Sequence, residues 1–362
     1  MSSLQVGIIG LPNAGKTTVF NALSRTCAAV ASYPFTTVEP NVGVVPVTDG
    51  RLDRVADLAG CSRRVPATVR FVDIAGLVEG ASKGEGLGNR FLANIREVDA
   101  VVHVVRGFDS GGVSHVSGSV DPVRDADLIE TELRLADLDV LGRMIEKARR
   151  EAKGGDRECR DRLEAICAME EIVGGEGDAG RDTALERLER LAPGSGFLSL
   201  KPALVVLNVG EDPDEAARRE GEMRGWVSSR GFPLLLANAE VEAELAELDP
   251  DEAAEFEVEM GIAEESLPRI VRGCYELLDL ITFFSIDSGE CRAWPVRNGS
   301  RASHAAGRIH TDFEKGFIKA EVVHYEDFLS CGSFPAARET GHMRVEGRDY
   351  IVQDGDVIHF KI

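Results

Sequence analysis

The sequence predicts an α/β protein: a parallel sheet flanked by helices, interrupted by an inserted α-helical hairpin, and followed by a small β-rich domain. Three observations carry that reading. Short apolar runs alternate with amphipathic helical patterns, as parallel strands and their crossover helices require. A stretch beginning near Asp127 is an almost unbroken run of helix formers. Beyond Leu278 the texture changes to short strand-like runs, some separated by glycine.

The elements follow in order. Gln5 to Gly10 reads as a buried strand, and Lys16 to Arg25 as a helix with Val19, Phe20 and Leu23 at helical spacing. Val69 to Ile74, Ala100 to Val105, Ala203 to Leu207 and Pro233 to Leu236 are further strands. Helical patterns cover Arg51 to Ala59, Asn89 to Val98 and Glu215 to Arg230. The long helical run breaks at Gly154 and Gly155 and resumes until Gly174, the pattern of a helical hairpin. CRAWPV, KAEVV and YIVQDGDVIHFKI supply the last strands. The expected boundaries are the α/β domain over 1–124 and 200–277, the inserted hairpin over 125–199, and the β-rich domain over 278–362.

Bulk properties restrict the function. The 362 residues carry a formal charge of −21, 43% hydrophobic and 28% charged residues. Such acidity opposes general adhesion to nucleic acid, though not a local basic patch. No apolar stretch approaches the roughly 20 residues needed to span a bilayer. MSSLQVGIIG lacks the basic and apolar regions of a secretory signal. The seven cysteines are scattered and include no CxxC pair, which suits free thiols in a reducing compartment. The expectation is a cytoplasmic protein with no membrane partner, monomeric.

The chemistry starts at Gly10-Leu-Pro-Asn-Ala-Gly-Lys-Thr17, a GxxxxGK[ST] motif between a strand and a helix. There the backbone amides of Asn13, Ala14, Gly15, Lys16, Thr17 and Thr18 can converge on phosphate oxygens, and a helix N-terminus adds partial positive charge. Lys16 is expected to reach the β and γ phosphates and Thr17 to hold Mg²⁺. Asn13 is either a turn-capping side chain or a ligand for a monovalent cation. Asp73-Ile-Ala-Gly76 ends the next strong strand as DxxG, placing Asp73 on Mg²⁺ through water and the Gly76 amide at the γ-phosphate. Thr37, in SYPFTT, is the candidate switch threonine for the metal.

The residue after DxxG is Leu77, where many GTPases have a glutamine that orients the attacking water. An aliphatic side chain cannot do that. His115, on a glycine-flanked loop, is the candidate for water positioning or proton transfer.

Together with GLPNAGKTTVFNAL, YPFTTVEPN, FVDIAGLVEGASKGEGLGNRFL, HVSG, LNVGE, HTDFEKGFIKAEV and YIVQDGDVIHF, the chain resembles the YchF/Obg-like ATPase family. The matching stretches run almost end to end. The resemblance implies a P-loop NTPase domain of Obg type, a helical hairpin and a β-grasp-like TGS domain. It also implies hydrolysis of ATP in preference to GTP, with ADP as product, and ribosome binding. His115 matches the family histidine suggested for catalysis, and Asn13 matches the P-loop asparagine that looks like a potassium ligand in related proteins. Two positions depart. Thr36 stands where many members have cysteine, which puts redox sensitivity in doubt, and Glu79 stands where lysine is common.

Base preference can be read from Asn208-Val-Gly-Glu211. In Asn-Lys-x-Asp loops the carboxylate accepts from guanine N1–H and its amine, while the lysine stem covers the base. Val209 removes the stem, and Glu211 moves the carboxylate by one methylene. Adenine N1 is an acceptor, so a carboxylate facing it would oppose two acceptors. The Asn208 amide can both donate and accept. Ala237, Asn238 and Ala239 are expected to form the other wall. Adenine preference with incomplete exclusion of guanine follows. A GTPase that tolerates the altered loop, and a nucleotide-gated binding module with incidental hydrolysis, are the competing readings. Arg292, Arg297, Arg301, Arg308, Lys315 and Lys319 interrupt the acidic chain and are either an rRNA-facing patch or a mixed solvated surface.

Overall fold

The computed structural model describes residues 4–30, 41–74, 87–109, 115, 118–154, 156–175, 181–192, 196–260 and 266–362. The first part comprises β1 Gln5–Ile9, α1 Lys16–Val30, β2 Val42–Pro46, α2 Gly50–Leu58, β3 Arg63–Val65, β4 Thr68–Asp73, α3 Leu87–Glu97 and β5 Ala100–Arg106. Three helices follow: α4 Pro122–Ala152, α5 Arg157–Gly174 and α6 Arg181–Leu191. Then come β6 Ala203–Asn208, α7 Pro213–Ser228, β7 Leu234–Ala237, α8 Ala239–Leu245, α9 Pro250–Met260 and α10 Ser266–Leu277. The C-terminal part holds β8 Leu280–Asp287, β9 Glu290–Arg297, α11 Ala302–Ile309, α12 Thr311–Lys315, β10 Lys319–Val323, α13 Tyr325–Cys331, α14 Phe334–Glu339, β11 Arg344–Glu346 and β12 Val357–Lys361.

Several helices begin on the same local signal, an aspartate followed by proline. Asp121 accepts from the Arg124 amide at 3.0 Å, and Asp212 from the Asp214 amide at 3.0 Å. Asp249 accepts from the Glu252 amide at 3.0 Å. Each carboxylate satisfies an orphan N–H, and the proline that follows has no N–H to lose.

The first sheet has the order β2-β4-β1-β5-β6-β7. Its strands β5 and β6 are buried along their whole length, and β5/β6 and β6/β7 pair parallel. That is why they read as continuous apolar runs rather than alternating ones. The sheet is not wholly parallel: edge strand β2, which the apolar pattern does not single out, runs antiparallel to β4 from Val42↔Val72 to Pro46↔Thr68. The second sheet has the order β11-β10-β12-β8-β9-β3. It mixes antiparallel pairs (β8/β9, β10/β12, β10/β11) with parallel ones (β12/β8, β3/β9). Strands β8 and β11 and the four helices α11 to α14 are additions to what the sequence pattern shows there.

The chain divides into two compact units, one of Met1–Val6, Thr17–Val72 and Ala239–Ile362, the other of Gly7–Lys16 and Asp73–Asn238. In the first, β3 and α2 pack with the C-terminal sheet. Arg51 of α2 holds Asp49 at 2.8 Å and Asp354 at 2.7 Å, and its guanidinium lies 5.7 Å from the Phe284 ring centre. A core of Phe283, Val296, Ala305, Val322, Ile358 and Phe360 lies under α11. In the second, Leu141, Ile145, Ile166, Met169 and Leu188 form the core of the three-helix insertion. The insertion is thus a hairpin, α4 and α5, with α6 packed against it. Val105, Ala126, Val205, Leu207, Val209 and Trp226 form the core beside β5 and β6. No helix among the described residues is long and apolar enough to cross a membrane.

Candidate nucleotide site

The phosphate loop leaves the end of β1. A Cβ on Gly10 would stand 2.3 Å from the Val104 carbonyl oxygen of β5, so only glycine fits there. Asn13 (φ 63°) and Gly15 (φ 93°) are both left-handed. Asparagine and glycine are the residues that adopt that conformation most readily. Residues alternating in this way turn successive amides toward one concavity. Helix α1 then opens at Lys16, with first-turn N–H groups that lack intrahelical acceptors. Thr17 is exposed and Thr18 half-buried in that first turn, Ala14 is buried, and Asn13 is exposed.

Lys16 is buried, and its Nζ donates to the Leu11 carbonyl at 2.7 Å. Burial pushes the Lys16 ammonium below its ordinary pKa, and the Asp73 carboxylate partly opposes that shift. Asp73 closes β4, where the Ile74 amide donates to Ile8 O at 3.2 Å. His103 of β5 is buried as well. Burial first, and the Lys16 charge second, push it down to about 4, so it is neutral at physiological pH. Thr37, Gly76 and Leu77, and with them Thr36 and Glu79, lie outside the described residues.

On the base side, Asn208 ends β6 in register with Ala237 of β7. Its Nδ2 donates to the Ala14 carbonyl at 3.1 Å, so one amide N–H joins the base loop to the phosphate loop. The Gly107 amide donates to Asn208 O at 2.7 Å, and the Val209 amide to Ala237 O at 2.9 Å. The Val209 side chain is part of the core. Glu211 is exposed, Asn238 is half-buried, and Ala239 is the first residue of α8. Arg106, in register with Asn208, is buried, with its Nε on Phe108 O at 3.1 Å.

His115 has a defined partner. Its Nε2 lies 2.7 Å from Asp125 Oδ2, with both side chains buried. Arg124 donates to the other oxygen of Asp125, from Nε at 3.1 Å and Nη2 at 2.9 Å. The structure therefore brings together Lys16 with Asp73, and Asn208 with Ala14, while His115 is fastened to the first turn of α4. Sequence reasoning missed His103, Arg106 and Asp125. His103 and Arg106 look like ordinary strand residues, and Asp125 like a routine acidic residue in a helix's first turn.

Over 358 residues, the chain is 49% identical to the "Ribosome-binding ATPase YchF" of Haemophilus influenzae, covering 98% of each. It belongs to the YchF family. Another YchF, from Bacillus subtilis and bearing the same name, is 43% identical over 364 residues, covering 99% of each. The solved YchF GTPase of Schizosaccharomyces pombe superposes with a TM-score of 0.87 at 31% identity, over 100% of this chain and 98% of that one. Residues 5–135 match the family described as 50S ribosome-binding GTPase, and residues 280–362 match the YchF-GTPase C-terminal family, described as a protein of unknown function. The P-loop sheet and the second, β-rich C-terminal part are thus those of YchF proteins.

Proposed function

We propose that the chain is a Mg²⁺-dependent ATPase that takes ATP in preference to GTP and works as a nucleotide-dependent switch on the ribosome. The observation that carries the base preference is that the positions of the guanine-reading lysine and aspartate hold a core valine, Val209, and an exposed glutamate, Glu211. The bond from Asn208 to Ala14 positions that loop against the phosphate loop. The names of the bacterial relatives support ATP hydrolysis and the ribosomal partner.

The amides from Asn13 to Thr18 would cradle the triphosphate. Lys16 would exchange the Leu11 carbonyl for the β and γ oxygens, whose charge compensates its desolvation. One carboxylate, Asp73 acting through water, and one hydroxyl, Thr17, suit Mg²⁺, which keeps few protein ligands and fills its shell with phosphate and water. Among the described residues no group of three or more His, Cys, Asp or Glu gathers for a metal. Bound Mg²⁺ would neutralise charge that develops on the phosphates. Thr37 and the Gly76 amide are assigned to the metal and γ-phosphate, and Asn13 to K⁺.

With Leu77 unable to hold water, His115 is assigned that task. When Asp125 accepts from Nε2–H, the neutral ring carries its lone pair on Nδ1, where it can accept a proton from water. Ala237, Asn238 and Ala239 would wall the base. The assigned parts are the P-loop domain over 1–124 and 200–277, the hairpin over 125–199 and the TGS domain over 278–362. The last two would meet the ribosome, as a cytoplasmic monomer.

The test is calorimetric titration with non-hydrolysable ATP and GTP analogues and Mg²⁺, in K⁺ and in Na⁺. Tighter binding of ATP, and loss of Na⁺-buffered affinity, are expected. GTP binding far tighter than ATP would end the base assignment in favour of an Obg-type GTPase. If Lys16→Ala abolishes ribosome co-sedimentation while His115→Ala keeps it, binding rather than turnover is the core activity.

A further inference from the structure

The chain between β5 and α4 carries His115 and is tied down at both of its ends. At the first end, Arg106 Nε donates to Phe108 O at 3.1 Å, and the guanidinium lies 4.5 Å from the Phe108 ring centre. At the second, Arg124 Nη2 donates to Ser119 O at 2.6 Å, and Asp121 caps α4. These ties are local, between near neighbours in sequence. Another comes from far along the chain. Arg219, in the second turn of α7, holds both ends at once: Nη1 donates to Val120 O at 3.2 Å, and Nη2 stands 3.6 Å from Asp109 Oδ2.

Arg219 is not an ordinary ion-pairing residue of a helix surface. Its side chain is 9% exposed, whereas that of the neighbouring Arg218, which pairs with the same Glu215 and Glu222, is 54% exposed. Arg218 reaches Glu222 at 3.0 Å, Arg219 only at 3.4 Å. Such pairs along a helix need no burial and contribute little. Burying a guanidinium costs desolvation, so what offsets that cost are the groups that only the buried position reaches. Its Nε is buried with no hydrogen-bond partner among the described residues. The guanidinium is thus oriented for its two Nη groups, which face the two ends of the His115 segment. The support is firm. Met223, one turn along α7, is buried, and Trp226 Nε1 and Arg230 Nη2 hold Asp127 of α4 at 3.4 and 3.0 Å.

We propose that Arg219 is a positioning residue for nucleotide hydrolysis: it braces Asp109 and Val120 together, and so fixes the chain that presents His115 to the attacking water. Asp125 sets the direction of the imidazole, and Arg219 sets where its backbone stands. Both are needed, because a ring held at one contact can pivot about it, and small displacements of a reacting group cost rate. A planar fork with donors in fixed directions suits two acceptors on separate strands of chain, where a lysine would offer one nitrogen. Helix α7 starts at Asp212, directly after the base loop, so one element joins that loop to the His115 segment. This role rests on the assignment of His115 to the water.

The experiment is steady-state ATP turnover by the full chain, with ATP-analogue affinity and thermal unfolding recorded for each variant. Arg219→Met keeps the buried stem and removes the fork. It should lower kcat by about ten- to a hundredfold while analogue affinity stays within about twofold. In a His115→Ala background the same change should add less than about twofold, because it acts through the missing ring. Arg218→Met should leave kcat unchanged. Asp109→Ala removes one contact from an exposed carboxylate, so folding is spared, and should lower kcat about threefold. An unchanged kcat in Arg219→Met overturns the proposal; if that variant does not fold, an unchanged kcat in Asp109→Ala does so. Equal losses from Arg219→Met with and without His115, or from Arg218→Met and Arg219→Met, overturn it as well. The ¹⁵N spectrum of the histidine rings separates this failure from that of His115. Arg219→Met should move the His115 signals from those of a ring held on Asp125 toward those of a free imidazole. Unmoved signals, with His115→Ala slow, overturn the brace alone. Wild-type turnover in His115→Ala removes the water assignment and, with it, the role of Arg219 in hydrolysis.

Discussion

At the end of β1 the chain is shaped by its backbone: Gly10 admits the Val104 carbonyl, and Asn13 and Gly15 take left-handed conformations that aim amides into one hollow. At the end of β6 the shaping is done by side chains: the Asn208 amide reaches the Ala14 carbonyl and Val209 fills the core. The first device tolerates almost no substitution, because sterics leave no alternative. The second can drift in specificity while keeping its fold, because the bond that positions the loop is separate from the groups that read the base. The comparison teaches why a phosphate loop is preserved as a motif while its base loop can exchange lysine and aspartate for valine and glutamate.

The contrast can be broken most directly at Gly10. A Gly10→Ala substitution should cost about 3 kcal/mol, since backbone on β5 must move to admit the methyl group. Urea unfolding measures it, and a loss under about 1 kcal/mol would show that the approach to Val104 is slack. Next comes Asn208→Ala, expected to destabilise by about 2 kcal/mol through the buried Ala14 carbonyl it strands, and to weaken ATP and GTP analogues alike. A selective loss of one nucleotide would instead make Asn208 a base reader first.

His103 sharpens the same comparison through pH. Its folded pKa, about 4, lies below its ordinary 6.5, so the unfolded chain takes the proton first. Its contribution is complete above pH 6.5 and falls by about 1.4 kcal/mol for each pH unit between 6.5 and 4. Asp137 and Asp356, whose carboxyls burial raises, act with the opposite sign, so the readable quantity is wild type minus His103→Gln. That difference should shrink on going from pH 7 to 5, and a constant difference contradicts a buried neutral imidazole. Smallest is the pair Val209→Lys with Glu211→Asp, expected to strengthen GTP-analogue binding about tenfold, or about 1.4 kcal/mol. The lysine stem must leave the core to lie over a base, so thermal stability is recorded beside affinity. No gain in GTP affinity would place discrimination in the wall at Ala237.

Much of this architecture is legible in the residues. GLPNAGKT announces a strand, a loop and a helix because only that backbone needs those glycines. The long helix formers after Asp127 announce α4 and α5, and the buried runs at Ala100 and Ala203 announce β5 and β6. Elements whose stability is borrowed were not legible. Strand β3 is three residues, Arg-Arg-Val, with nothing to mark it until β9 lies alongside, and β2 is an edge strand completed only by β4.

What the sequence determined by itself is therefore local: turns, caps, apolar period and the phosphate-loop backbone, each set by interactions within a few residues. Tertiary structure alone decided that His103 is neutral, that His115 is held by Asp125, that Val209 is core, and that Arg297, Arg301 and Arg308 line one cavity. Burial, charge proximity and register are properties of residues far apart in the chain. They acquire values only when folding brings those residues together.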